Sequence, residues 1–330
     1  MPKIYLGEAI RLVLKTLPIV WVRLASYLVL GVGLGIYAGL FFGIGWLLMK
    51  LWAPLGVIIF IAAVGGAFWI VDLAGKYWFH LLRAAHTAVM TEFITTGSGP
   101  ATGQLEYGRK QVMSRFVDTS ILFGVGLLVG GITKFVVRTF TRIVSILPVP
   151  GVDSLGKFLE RVAILSTTYV DEAILSRAYA KREQNVWAVA KDGVVLYAQA
   201  WKPILANAVV LALLSYAEFV IFLLILGLPA LAIGAAAPNL GPALGIGVLI
   251  GAWMLKLALS DAISLAATLL AYHGATATME PNQEWVAKLD GASDKFRELG
   301  RKAAASVGSV GRTAAEVPTE DPSITDPGFD

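Results

Sequence analysis

Polar and apolar positions separate into long blocks along this chain, and the blocks predict its elements. Residues 24–49 contain no charged side chain, and residues 51–71 form a second uncharged run. Each run can cross a hydrocarbon core of about 30 Å as a helix. Lys50, Trp52 and Pro54 lie between them and predict a tight hairpin, with Trp46 and Trp52 as interfacial anchors. Residues 204–234 are apolar apart from Glu218, and PNLGP at 238–242 reads as a turn. Residues 243–272 form another span, which carries Lys256 and Asp261.

The stretches between these runs are patterned differently. Asp72, Lys76, His80 and Arg83 recur at spacings of 4, 4 and 3. That predicts a polar stripe on one face of a helix continuing out of the membrane. TTGSGPATG at 95–103 reads as a loop. Residues 121–133 are apolar but short, and Lys134, Arg138 and Arg142 follow at spacings of four. LPVPG at 147–151 is a turn, with Lys157 and Arg161 beyond it. The pattern predicts an all-α polytopic transmembrane helical bundle with six spans and amphipathic interfacial helices. Four spans plus a re-entrant middle hairpin is the alternative.

The expected boundaries are a transmembrane domain over 1–279 and a cytoplasmic tail over 280–330. The transmembrane domain divides into a first hairpin (1–103), a middle hairpin (104–184) and a second hairpin (185–279). In the tail, Trp285, Leu289, Ala292, Phe296, Leu299 and Ala303 share one helical face, suited to a membrane surface or a partner. Residues 313–330 carry five acids, no bases and three prolines, and are expected to be disordered.

Composition strengthens the membrane reading. The chain is 57% hydrophobic and 15% charged, with a mean hydropathy of +0.71. Soluble domains carry about a quarter charged residues. No cysteine is present, which excludes disulfides and thiolate chemistry. His80, His86 and His273 show no metal spacing, and no phosphate loop or nucleophile–base pair occurs. No enzymatic activity, cofactor or metal is therefore expected. The net charge of +4 reads as topology and not as nucleic-acid binding.

Lys and Arg number four in residues 1–23, five in 72–117, five in 177–203 and six in 274–330. The positive-inside rule then puts both termini in the cytoplasm of a plasma or inner membrane. The charges scattered through residues 1–23 do not form a cleavable signal peptide, so the first hydrophobic helix is expected to be retained.

A shift of 185 residues superposes Pro18-Ile19 on Pro203-Ile204, Leu55-Gly56 on Leu240-Gly241 and Gly66-Ala67-Phe68 on Gly251-Ala252-Trp253. Each copy runs from an amphipathic lead-in helix through two spans to a polar exit. This predicts a parallel pseudo-repeat.

Gly31, Gly35, Gly39 and Gly43 recur every fourth residue, a pattern that lets helices pack closely in lipid. Glu218 and Lys256 fall near mid-membrane, where an ionisable group faces protein or a water-filled path. They are candidates, with Asp261, for a substrate or ion pathway. A Glu218–Lys256 ion pair that locks two helices is the competing role. Lys134, Arg138, Arg142, Lys157 and Arg161 are candidate contacts for anions or lipid headgroups.

The stretch NVWAVAKDGVVLYAQAWKPILANAVV, followed by a long span, a Gly/Pro turn and a span ending LSDAISLAATLLAY, resembles the C-terminal half of choline transporter-like proteins. The resemblance covers residues 185–280, in architecture and not in a diagnostic motif. It implies a facilitator or channel for a small organic cation or amine. The contrasting class is a non-transporting scaffold or accessory subunit, assembling through Gly-rich faces and the tail. The expected partners are membrane lipids, with a homo-oligomer or a larger membrane complex.

Overall fold

A computed structural model describes residues 3–114 and 169–315, and among these it is built of helices without a strand. Helix α1 (Leu6–Lys15) is amphipathic, with Ala9, Leu12 and Val13 buried and Arg11 and Lys15 outside. It stops at Thr16. Pro18 then sits in the first turn of α2 (Leu17–Leu51), where its missing N–H would have no helical partner. With 35 residues, α2 is about 52 Å long and outruns the hydrocarbon core. Ile19, Val20 and Arg23, in its first turns, are buried in protein.

After the break at Trp52, α3 (Ala53–Ala74) returns along α2. It passes without interruption through a five-residue π-helical segment, Gly75–Phe79, into α4 (His80–Thr96). This continuation out of the apolar run is the one the polar stripe predicts. Gly97 ends α4 with a φ of +76°, a left-handed cap that glycine adopts without strain. Helix α5 (Gln104–Ser114) packs back on α4.

The second part begins with α6 (Val170–Ala180) and α7 (Val186–Gln199). Asn185 caps α7 by accepting from the backbone N–H groups of Trp187 and Ala188. The chain bends by 74° between α7 and the start of α8 (Trp201–Ala236). A 3-10 turn at Pro238–Leu240 leads to α9 (Gly241–Leu255), a second five-residue π-helical segment, Lys256–Ser260, and α10 (Asp261–Thr276). Helices α11 (Gln283–Ala292) and α12 (Asp294–Ala315) complete the described chain.

Among the described residues, four helical stretches are long and apolar enough to cross a membrane: Leu17–Leu51, Ala53–Thr96, Ala217–Ala236 and Pro238–Thr276. They form two antiparallel hairpins whose apolar side chains, Ile36, Leu40, Phe68 and Leu231 among them, are exposed. Such a surface suits lipid and not water. The buried core lies beyond the hairpins' feet, in a helical head built from α1, α4, α6, α7, α10 and the last two helices. The middle hairpin, with Lys134, Arg138, Arg142, Lys157 and Arg161, falls largely outside the described residues.

Two expectations change. The glycine ridge of α2 is not where α3 packs. Among the described residues, a Cβ on Gly35, Gly39 or Gly43 would meet nothing within 4 Å, and one on Gly31 would meet Met254 of the other hairpin. The α2–α3 contact uses Gly45, two residues beyond Gly43 and about 200° round the helix. There a Cβ on Gly56 would lie 2.7 Å from the Gly45 carbonyl oxygen.

The tail's apolar face is also occupied. Leu289, Phe296, Leu299 and Ala303 are buried as α11 and α12 pack on α7. Ser293 breaks the expected single helix in two and caps the second half, its hydroxyl accepting from Phe296 N. Helix α12 reaches Ala315, inside the stretch expected to be disordered.

Candidate functional site

The most concentrated polar chemistry in the described chain sits where α2, α4, α6 and α10 meet. Arg23, on the buried foot of α2, donates from Nη2 to Asp261 Oδ2 at the start of α10. The arginine side chain is 3% exposed and the aspartate 18%. Moving two such ions out of water costs several kcal/mol each, so burial demands that each be fully partnered. Asp261 meets that demand: Tyr169 OH donates to its other oxygen at 2.5 Å, and Arg83 Nε lies 3.9 Å from Oδ2. Arg83 in turn donates from Nη1 to Glu172 Oε1 of α6 at 3.1 Å. Two arginines thus face two carboxylates.

His86 extends the network. Its Nε2 lies 2.9 Å from Thr16 Oγ1, and its Nδ1 lies 3.4 Å from Arg23 Nη1. Arginine can only donate, so Nδ1 must be the bare acceptor and Nε2 must carry the proton. Thr16 Oγ1 accepts that hydrogen bond and donates its own hydroxyl to the Leu12 carbonyl at 3.1 Å. The chain of donors runs Arg23, His86, Thr16, backbone.

A second chain lies further along α4. Thr91 donates to Thr87 O at 2.6 Å, Ser176 lies 2.6 Å from the Thr91 hydroxyl, and His273 Nε2 lies 2.7 Å from Ser176. A third group is nearer the surface. Tyr107 donates to Glu92 at 2.5 Å, and Arg182 reaches the same carboxylate at 2.6 Å. Burial, with that hydrogen bond, pushes the Tyr107 phenol up to about 12. Tyr169 is likewise held well above the usual phenol range, by burial first and then by Asp261.

Both π-helical segments adjoin the first network. One ends at Phe79, four residues before Arg83, and the other ends at Ser260, immediately before Asp261. A π turn adds a residue to the helix and advances every later side chain by about 100°. The polar stripe is split for this reason. Asp72 and Lys76 form an exposed pair at 2.6 Å, and His80 is exposed, whereas Arg83 turns into the protein.

Glu218 and Lys256 occupy neighbouring helices of the second hairpin. Glu218 is half-buried, with Ser260 and Lys256 as its polar neighbours. The two do not approach to ion-pair distance. Lys256 Nζ instead lies 5.3 Å from the Trp253 ring centroid and 5.7 Å from that of Phe219. Cation–π contact thus takes the ammonium that an ion pair would need. Asp261, a pathway candidate in the sequence, is held by Arg23, Arg83 and Tyr169. The cleft between the hairpins, about 440 Å³, is lined by apolar groups such as Leu30, Val71, Leu249 and Trp253, and not by Glu218.

Sequence reasoning missed Arg23, Glu172, Tyr169, and the roles of His86 and His273. One signal pointed to Arg23: it follows Pro18 by five residues, with no break before the first span, so it must ride on that helix. Comparison with family models, with curated proteins and with solved structures finds no match.

Two outcomes follow from this geometry. Arg23→Met leaves Asp261 with only part of its partnership and should destabilise the protein by about 3 kcal/mol. Adding Asp261→Asn should recover much of that loss, because Arg83 still pairs with Glu172. Thermal unfolding in detergent measures both, and a double variant no more stable than Arg23→Met would contradict the pairing.

The second outcome concerns Asp171, beside Glu172 in the head. Burial, and then the Glu172 charge, raise its carboxyl from 3.8 to about 7. The folded state therefore favours the protonated acid. The stability it contributes is complete below about pH 4 and is lost as pH rises to about 7. Asp171→Asn should match the wild-type melting temperature at pH 4 and exceed it at pH 8. Equal melting temperatures at both would refute the assignment.

Proposed function

We propose that the chain is an integral membrane subunit with both termini in the cytoplasm, working as a scaffold that assembles with further copies of itself. The observation that carries this reading is the bare glycine ridge of α2. Gly35, Gly39 and Gly43 are in line, unobstructed, and surrounded by exposed Val32, Ile36 and Leu40. Glycine gives up about 1 kcal/mol of helix propensity relative to alanine, and close helix–helix approach is what it offers in return. Support for the orientation comes from charge. The described basic segments around Lys15, Lys110, Arg182 and Arg297 all belong to the head side of the hairpins.

A duplicated plan belongs to the same proposal. Helices of 35 and 36 residues each follow a shorter lead-in helix. Each is followed by a break, a returning helix, a five-residue π segment and a polar exit helix. Six spans, counting the middle hairpin, would keep the two copies parallel.

The absence of cysteine makes assembly simple to test. Gly39→Cys should leave the melting temperature unchanged, since no described neighbour contacts that site. Oxidation in membranes should then give a disulfide-linked dimer. Monomer alone from Gly35→Cys, Gly39→Cys and Gly43→Cys would overturn the proposal.

A second reading, a facilitator for an organic cation, is favoured by one feature. Glu218 is a half-buried carboxylate within the spans that no ion pair among the described residues neutralises. The resemblance to choline transporter-like proteins points the same way. On this reading, proteoliposomes take up labelled choline, and Glu218→Gln abolishes uptake while the protein stays folded. No uptake by the wild-type protein, or normal uptake by the variant, would remove this role for Glu218.

A further inference from the structure

We infer that the groove between α5 and the feet of the first hairpin binds one anionic glycerophospholipid of the inner leaflet. Its phosphate would sit at Arg109 and an acyl chain against the apolar wall. This rests on the membrane-embedded reading above, but not on assembly or transport. The groove encloses about 350 Å³ and is walled by Ile19 of α2, Trp78 and Leu82 of the π segment and α4, and Leu105, Arg109 and Val112 of α5. That volume lies within the range of about 300–1,000 Å³ typical of small-ligand sites.

The sequence of α5 builds this wall. Leu105, Arg109, Val112 and Met113 fall at i, i+4, i+7 and i+8, so they share one side of the helix. Gly108 brings α5 against α4, where a Cβ would lie 3.1 Å from the Ala85 carbonyl oxygen. Leu105 and Met113 remain exposed beside the groove. In water such a surface would be unfavourable; at a bilayer it is suited to hydrocarbon.

The groove's depth fits a headgroup. Charge-free sequence ends at Val71, and Trp78 lies seven residues later, about 10 Å along the helix. Ile19 lies five residues before Leu24, where the first charge-free run begins. Ile19 falls within the interfacial layer, which adds about 5–8 Å on each side of the hydrocarbon, and Trp78 lies at its outer edge. Trp21 and Trp78 are exposed there, and Trp78 donates from Nε1 to Ser26 Oγ at 3.0 Å, fixing its ring at the groove's edge. Interfacial tryptophan marks this level.

Charge selects the class of lipid. Arg109 and its neighbour Lys110 are exposed, and neither forms an ion pair with a described residue. Glu106, one turn back, pairs with neither. A phosphodiester presents an acceptor geometry that guanidinium matches with two parallel bonds. A zwitterionic lipid adds a cation beside these bases, and an anionic one does not.

The test is native mass spectrometry of the full chain, released from nanodiscs of equal phosphatidylglycerol and phosphatidylcholine with identical acyl chains. Wild-type protein should retain phosphatidylglycerol preferentially. Arg109→Gln should cut that preference about fivefold, the equivalent of about 1 kcal/mol for one basic residue at a membrane surface. Leu105→Trp, which fills the groove, should lower retention of both lipids. Added inorganic phosphate should not displace the lipid, because the acyl chain holds it.

Equal retention of the two lipids by the wild type, an undiminished preference in Arg109→Gln, or displacement by phosphate would overturn the site. Melting temperatures confirm that each variant is folded. Carbonate extraction keeps the premises apart. A chain released by carbonate refutes membrane embedding, whereas a carbonate-resistant chain without lipid preference refutes only the groove.

Discussion

A guanidinium buried at the foot of a long apolar helix must find a carboxylate, and the meeting of Arg23 with Asp261 organises the rest of the described fold. The two residues are 238 positions apart and belong to different hairpins. Their contact ties α2 to α10, and the remaining valences of each ion draw in three further elements. Tyr169 and Glu172 bring α6, Arg83 and His86 bring α4, and Thr16 brings the end of α1. The end of α1 and helices α2, α4, α6 and α10 each supply a partner to the network. Burying such groups is costly unless they are paired, which favours the arrangement that brings them together, although Arg83 Nε and Glu172 Oε2 have no hydrogen-bond partner among the described residues.

Two π-helical segments make that convergence possible. A continuous α-helix from Ala53 to Thr96 would carry Arg83 on the face that bears Asp72 and Lys76, toward solvent. The extra residue between Gly75 and Phe79 turns Arg83 inward and leaves the Asp72–Lys76 pair outside. The segment Lys256–Ser260 acts likewise just before Asp261. Each hairpin therefore keeps an apolar exterior along its long apolar helices and changes its buried face beyond them.

The hydrophobic blocks were legible because lipid imposes a one-dimensional rule: a span must be long and uncharged. Hence both hairpins, their turns and the run of α3 into α4 follow from periodicity and length. The tail's apolar face was legible as a face, but its occupant was not. Nothing local in Phe296 or Leu299 says that α7 lies opposite. Arg23 is one of the charges scattered through residues 1–23, which gives its place in sequence and not its role in the fold. Asp261 was identified as unusual, yet its partners lie on three other helices and no spacing encodes them. Gly45 and Gly56 belong to no repeat, yet they, and not the regular Gly31–Gly43 ridge, mark the α2–α3 crossing. A local pattern reports what a helix can do on each face, and the tertiary fold selects one.

The position of the charges also separates the two ends of the molecule mechanically. At the feet, ion pairs and the head's core hold the hairpins in fixed relation. Toward the far turns at Trp52 and Pro238, each hairpin is held mainly by its own crossing, with Gly31 against Met254 joining the two nearer the head. Above that contact, the apolar faces and the glycine ridge of α2 meet no described partner. The buried contacts are concentrated in the head, and the exposed apolar surface on the hairpins. A chain built this way presents its hairpins as an apolar surface, and on the proposed reading assembly accounts for the bare glycine ridge of α2 with fewer additions than an enclosed pathway would need.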